Sequence, residues 1–313
     1  MNQTTASPVL LIHGGAGVIR RDMDAVTESA VRAALADALR RGYAQLAAGA
    51  SAVDAVTAAV MALEDTPHFN AGHGAVFNRA GDNVLEAAIM DGATLRAGAA
   101  TELRHVRNPI LLARAMMEHA PHVMLAGAGA EAFARERALD MVDPGYFRTE
   151  TRWRQLQDML GGDNRVPDTG TVGAVALDAR GRLAVATSTG GRTGKWPGRV
   201  GDTPLIGAGT YANAACAMSG TGHGEFFIRI AAAHAVCMRV ALMHQPVAVA
   251  ADAVINGDIP ALGGSGGAIV LGADGAFAMP FNTDGMFRGW FDGTGEPHVA
   301  IWADEDAPAM TPA

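Results

Sequence analysis

The stretch RVPDTGTVGAVALDARGRLAVATSTGG, residues 165–191, sets a polar segment punctuated by Pro and Gly against an alternating apolar pattern. Val172 onward reads as a strand, a turn at Asp178-Ala-Arg-Gly181 and a second strand, a β-hairpin by turn chemistry. Thr171 stands at the junction. As a strand residue it is one more β-branched side chain. As chemistry it is a hydroxyl that needs a base, and a severed chain supplies one, because the α-amine of a new N-terminus titrates near pH 8. The cut is accessible in cis. The Thr171 hydroxyl attacks the Gly170 carbonyl, an N→O acyl shift forms an ester, and water releases it. Residues 143–170 carry no sustained apolar period and read as a linker that ends at the scissile bond.

Working outward, 313 residues with 49% hydrophobic and 18% charged side chains, 39 glycines and 14 prolines describe a tightly turned globular chain. The net charge is −8 and the basic residues are scattered, which argues against nucleic acid or an anionic membrane as partner. Cys216 and Cys237 both lie in apolar sequence and read as buried thiols of a reduced compartment. The N-terminus has no basic region ahead of its short apolar run Val9–Ile12, so no signal peptide is expected. The apolar stretch FFIRIAAAHAVCMRVALMH is interrupted by Arg229, His234 and Arg239, short of the ~20 uncharged residues of a membrane span. A cytoplasmic location is the expectation.

VLLIHGGAG reads as a buried strand, followed by helical periodicity over about Ala25–Leu46. Ser51 with Asp54 forms a capping-box start for a second helix that Pro67 stops. GAVFNRAGDNVLEAAIMDG suggests a hairpin around Ala80-Gly81-Asp82. Helical segments follow at about Pro109–His119 and Ala130–Leu139, then Gly224–His244 and Pro246–Asn256, and GGAIVLGADGAFAMPFN makes a last hairpin around Asp274-Gly275. Hairpins and helices are grouped, which favours α+β layers over a doubly wound parallel sheet.

Other chemistries fit less well. No G-x-x-x-x-G-K-[ST] occurs, and HGGAGV lacks the acidic residue and βαβ spacing of a dinucleotide site. The pairs His119/His122 and His68/His73 have no evident third metal ligand. GGSGG at Gly263–Gly267 matches G-x-S-x-G, with HGGAG, Asp284 and His298 in the order of a serine hydrolase. A nucleophile elbow leads from strand to helix, however, whereas Ser265 follows helical sequence and enters a strand.

The same Thr171 hairpin, with KWPGRVGDTPLIGAGTYAN, TGHGEFFIR, LGGSGGAIV, LIHGGAG and LEDTPHFNAGHGAVFN, resembles the plant-type L-asparaginases, also called isoaspartyl peptidases. The likeness runs from about Pro8 to Trp290. It implies a four-layer αββα sandwich of the N-terminal-nucleophile (Ntn) hydrolase type. It also implies one domain over 1–313, autocleaved between Gly170 and Thr171 into subunits 1–170 and 171–313 that remain together as (αβ)₂. The resemblance makes Thr171 nucleophile and, through its amine, base, with Thr189 of TSTGG orienting it. Arg199 and Asp202 of GRVGD would grip the substrate's α-carboxylate and α-ammonium, a task suited to a guanidinium fork. Thr221 and Gly222 would form the oxyanion hole, Gly224 would complete the substrate loop, and Asn70 would sit near the nucleophile. The loop LEDTPHFNAGHG resembles one that binds sodium through backbone carbonyls, here those of Leu63, Glu64, Phe69, Ala71 and His73; no cofactor is otherwise required.

One departure is the Ser219-Gly220 pair, where many relatives carry Cys or another Thr before the Thr-Gly. The activity implied is hydrolysis of the L-asparagine side-chain amide and of β-aspartyl dipeptides, releasing L-aspartate. Glycosylasparaginase is the alternative within the same family, and a G-x-S-x-G serine hydrolase or a non-enzymatic binding protein the alternatives outside it.

Overall fold

In the computed structural model, which describes residues 6–162 and 170–305, the hairpin that opens at Thr171 lies in the middle of the larger of two sheets. The chain up to Gly170 supplies β1 (Val9–Gly17), α1 (Ala25–Ala47), α2 (Ala52–Glu64), β2 (Leu85–Asp91), β3 (Ala97–Leu103), α3 (Pro109–His119), β4 (Met124–Ala126), α4 (Gly127–Glu136) and α5 (Glu150–Leu160). The chain after it supplies β5 (Val172–Leu177), β6 (Leu183–Thr189), β7 (Thr210–Ala212), β8 (Cys216–Gly222), α6 (Gly224–Ile230), α7 (Ala232–Met243), α8 (Val247–Asp252), α9 (Ile259–Ala261), β9 (Gly266–Gly272), β10 (Phe277–Ala278), β11 (Gly285–Phe291) and β12 (His298–Ala300). Among the described residues the larger sheet runs β12-β11-β1-β5-β6-β2-β3-β4 and the smaller β10-β9-β8-β7.

Period-2 alternation sorts each strand's side chains between two environments. Leu10 and Ile12 of β1, Val172, Ala174 and Ala176 of β5, and Ala184 and Ala186 of β6 pack against α1, α2 and α3. The residues of opposite parity, Val9, Leu11, Val175, Leu177, Leu183 and Val185, pack between the sheets on Ala217, Ile269 and Leu271. The other face of the smaller sheet, with Met218 and Val270, packs on α7, α8 and the helical turn that follows α8 through Val236, Ala250 and Val254. Continued along the strands, the inter-sheet parity takes in His13, Glu86, Thr171, Thr187, Thr189, Ser219 and Thr221, all buried. One end of that layer is therefore polar, and the site forms there.

The Ser51 capping box is present, the Ser51 side chain accepting from Asp54 N and the Asp54 side chain from the Ser51 backbone; such a cap contributes about 1 kcal/mol. The hairpins at 178–181 and 274–275 form as expected. The early hairpin does not, because Phe77 makes only an isolated bridge to Asn83 while β2 pairs with β3 and β6. The helix expected over Gly224–His244 breaks at Ala231, which is left-handed at φ 49°, and the two halves bend by 44°. No single helix among the described residues is long and apolar enough to cross a membrane.

The expected linker needs correction, since residues 150–160 form α5, capped by Thr149. Its hold is polar: the buried Arg152 guanidinium donates to the carbonyls of Gly74 (2.8 Å) and His68 (3.4 Å). Apolar periodicity has no sight of such an anchor. The 163–169 part of that linker lies outside the described residues.

The last residue of α2, Glu64, turns under β6. Its Oε1 accepts from Ser188 Oγ (2.6 Å) and Ile110 N (3.0 Å), while Oε2 is buried without a hydrogen-bond partner among the described residues. Burial pushes its pKa up from 4.5 to about 8, the hydrogen bonds opposing it. Between those values the folded state holds a proton the unfolded state has lost, so stability falls as pH rises through that window, by up to about 1.4 kcal/mol per unit. Glu64→Gln, neutral at every pH, should flatten this slope when melting midpoints are compared at pH 5 and 8; an unchanged slope would show that Glu64 is ionised in the folded protein.

Candidate active site

Thr171 sits immediately before β5, 7% exposed, at the floor of a cavity of about 290 Å³ lined also by Thr189, Arg199, Asp202, Gly222 and His223. Its Oγ1 donates to Thr189 Oγ1 (3.2 Å), which in turn accepts from Gly191 N (3.0 Å). In this single chain the Thr171 nitrogen is the peptide nitrogen to Gly170. A Cβ at Gly170 would collide with Thr221 Oγ1, and the Gly170 carbonyl lies against Gly15, which is held at φ +112°. Only glycine at both positions lets the two backbones approach this closely.

Thr221 Oγ1 accepts from Ala16 N (3.1 Å), which directs its hydroxyl proton away from Ala16. Asn70 does not line the cavity. It braces the turn after β6, donating from Nδ2 to Gly191 O (2.6 Å) and accepting Val76 N at Oδ1 (3.0 Å). Gly224 opens α6 with its α-carbon against Asp202 and Arg199.

Arg199 reaches Glu225 Oε1 through Nε (3.0 Å) and Nη2 (2.9 Å), with its side chain 16% exposed. Asp202 is buried, and its Oδ2 has no hydrogen-bond partner among the described residues. Burial pushes its pKa up to about 7, against the pull of Arg199. A buried acceptor without a donor, beside a guanidinium on the cavity wall, is an incomplete arrangement.

Beneath Thr171 the structure adds groups that the sequence reading did not single out. His13 Nδ1 lies 3.0 Å from Thr171 O and Nε2 2.8 Å from Ser219 Oγ, which is 2.8 Å from Thr187 Oγ1. A carbonyl only accepts, so Nδ1 carries the proton; Nε2 accepts from Ser219, and Ser219 from Thr187. Burial pushes the His13 pKa down to about 3, which keeps the ring neutral and this polarity fixed. Glu86 and Lys195 form a second buried group nearby, with Nζ 3.7 Å from Oε1. The available signal was parity, since His13 and Glu86 fall on the inter-sheet side of β1 and β2.

Among the described residues no three His, Cys, Asp or Glu side chains cluster for a metal ion. Ser265 precedes β9 and follows α9, so it occupies no strand-to-helix elbow. Cys216 and Cys237 are buried free thiols.

The family model described as asparaginase matches residues 6–301. An isoaspartyl peptidase of Escherichia coli (strain K12) is 47% identical, with 95% of this chain and 97% of that protein covered. The isoaspartyl peptidase of Salmonella typhimurium is 45% identical over 95% of this chain and 99% of its own length. An isoaspartyl peptidase/L-asparaginase of Xenopus laevis is 42% identical over 89% of this chain and 90% of its own. With a model spanning nearly its whole length and relatives covered end to end, this chain belongs to the asparaginase family that includes the isoaspartyl peptidases.

Proposed function

We propose that this protein is an autoprocessing amidohydrolase that cleaves the side-chain amide of L-asparagine and the isopeptide bond of β-aspartyl dipeptides, releasing L-aspartate. The observation that carries the reading is the Thr171 hydroxyl on the floor of a cavity whose wall holds Arg199 and Asp202. The names of the relatives, isoaspartyl peptidase and L-asparaginase, support the same substrates.

After scission before Thr171, the freed amine takes the proton of Oγ1, which adds to the substrate's side-chain carbonyl. The oxyanion is stabilised by Thr221 Oγ1 and the Gly222 amide. The protonated amine then donates to the departing nitrogen, leaving an aspartyl ester that water hydrolyses through the reverse proton path. Arg199 holds the α-carboxylate and Asp202 the α-ammonium, so the side-chain carbonyl is presented to Thr171. The packing of helices on both sheets and of the sheets on each other supports a four-layer αββα sandwich. A paired (αβ)₂ assembly and a cytoplasmic location complete the proposal.

A sodium ion fits the loop after α2. The Glu64 and Phe69 carbonyls face Gly72 and Gly74 so closely that a Cβ on either glycine would collide with them, leaving a cradle of carbonyls without side chains. The carbonyls of Leu63, Glu64, Phe69, Ala71 and His73 would hold the ion, whose contribution is to stiffen the loop that carries Asn70.

Active preparations should contain two pieces beginning at Met1 and Thr171, about 17 and 15 kDa by their residue shares of 32.2 kDa. Thr171→Ala should remain one inactive chain and Thr171→Ser should retain part of both activities. Full turnover by an uncut 32.2 kDa chain would end the proposal.

Arg199→Lys keeps the charge and loses the fork, so kcat/KM should drop at least about tenfold, ~1.4 kcal/mol, while processing proceeds. Loss of both together would make Arg199 structural.

The pH profile separates the two ionisations. The Thr171 amine must be neutral and Asp202 ionised, so kcat/KM should fall as pH drops below about 7, with Asp202 protonation adding to that of the amine. Bound substrate ammonium restores the Asp202 carboxylate, so kcat should show the amine alone. Equal acid limbs in kcat and kcat/KM would remove Asp202 from ammonium binding.

A further inference from the structure

Arg199 and Asp202 stand on irregular backbone between β6 and β7, where neither a helix nor a strand fixes their direction. What fixes the chain between them is a buried charge. Both carboxylate oxygens of Glu86 accept the Gly201 amide, at 3.1 and 3.3 Å, and Lys195 Nζ lies 3.7 Å from Oε1 while donating to Val84 O at 3.0 Å. The Glu86 and Lys195 side chains are 0% and 2% exposed. Burying such a pair is expensive and is often matched by an apolar pair of similar volume, so its presence calls for a purpose other than stability.

We propose that Glu86, compensated by Lys195, is a positioning residue for substrate binding, holding the Gly201 amide and so fixing where Arg199 and Asp202 leave the backbone. The inference rests on the clamp role given above to those two residues. Charge-assisted hydrogen bonds are the stronger kind, and an acceptor of two oxygens confines the amide to the carboxylate plane. Register adds a second argument. Glu86 is directly paired with Thr189 across β2 and β6, and Thr189 accepts the Thr171 hydroxyl. The loop that grips the substrate and the strand that orients the nucleophile are thus referenced to each other through one backbone pair. Lys195 completes the device by cancelling the Glu86 charge, which otherwise lies next to the Arg199 guanidinium and competes with the substrate carboxylate for it.

The test is a double-mutant cycle on processed enzyme with L-asparagine, comparing Glu86→Gln, Lys195→Met and the double variant. Each single variant should raise KM about fivefold or more with kcat within about twofold, and the double should resemble one single instead of their product, because both act on one anchor. Processing of the precursor, which presents no free carboxylate, should keep its rate. Unchanged KM in Glu86→Gln overturns the proposal, as does a parallel loss of kcat, processing and melting temperature. Should Lys195→Met not fold, the KM-against-kcat split of the isosteric Glu86→Gln decides alone. Arg199→Lys run alongside separates the two readings: a raised KM there with an unmoved KM in Glu86→Gln removes only this inference, whereas an unmoved KM in Arg199→Lys removes the clamp itself.

Discussion

Strand β5 is hydrogen-bonded along both edges, to β1 and to β6, and buried on both faces, and the position of Thr171 follows from that confinement. A residue at the end of such a strand has its backbone direction settled by neighbours far away in sequence. Its hydroxyl reaches the cavity because alternation puts positions 171, 173, 175 and 177 on one side. A nucleophile on a loop would need its own scaffold. Here the central pairing of a sheet is the scaffold, and the fold needs only to leave one end of the inter-sheet layer polar.

Burial then decides charge. His13 is kept neutral among hydrogen-bond partners suited to the neutral ring, whereas Glu64 is pushed toward its protonated form by burial, against the donors that face its Oε1. Asp202 is equally buried and, like Glu64, has one oxygen without a partner among the described residues, but it stands on the cavity wall. His13, with both ring nitrogens paired, is an internally satisfied group that holds geometry. In the proposed clamp role, Asp202 stores a desolvation cost that a ligand cation relieves, which turns an unfavourable burial into affinity.

Much of this was legible in sequence where the signal is local. The Ser51–Asp54 box, the amphipathic run of α1 and the Asp178 turn each need only a few adjacent residues, and each formed as read. The place of the Gly170–Thr171 junction was legible through pattern, because the alternation that begins at Val172 marks the entrance of β5. What stayed hidden is held together across long separations. Helix α5 depends on Arg152 reaching Gly74, β3 is an Ala-rich strand defined by its partner β2, and Ala231 breaks a helix whose periodicity continues through it. Glu86 and Lys195 look like ordinary surface charges until the sheet and loop close over them.

The strand order of the larger sheet carries one more consequence. Read across, β12 and β11 come after the Gly170–Thr171 bond, β1 before it, β5 and β6 after it, and β2, β3 and β4 before it. A chain severed there consists of two interleaved pieces that share three strand-to-strand borders, and the cores on both faces of the larger sheet draw residues from both pieces. Under the proposed processing the covalent link guides assembly, and the folded molecule then holds together without it. Denaturation of the severed form leaves two strangers that must meet again, so recovery becomes concentration-dependent, and working lifetime is governed by the rate of coming apart and not by a balance of folded and unfolded chains.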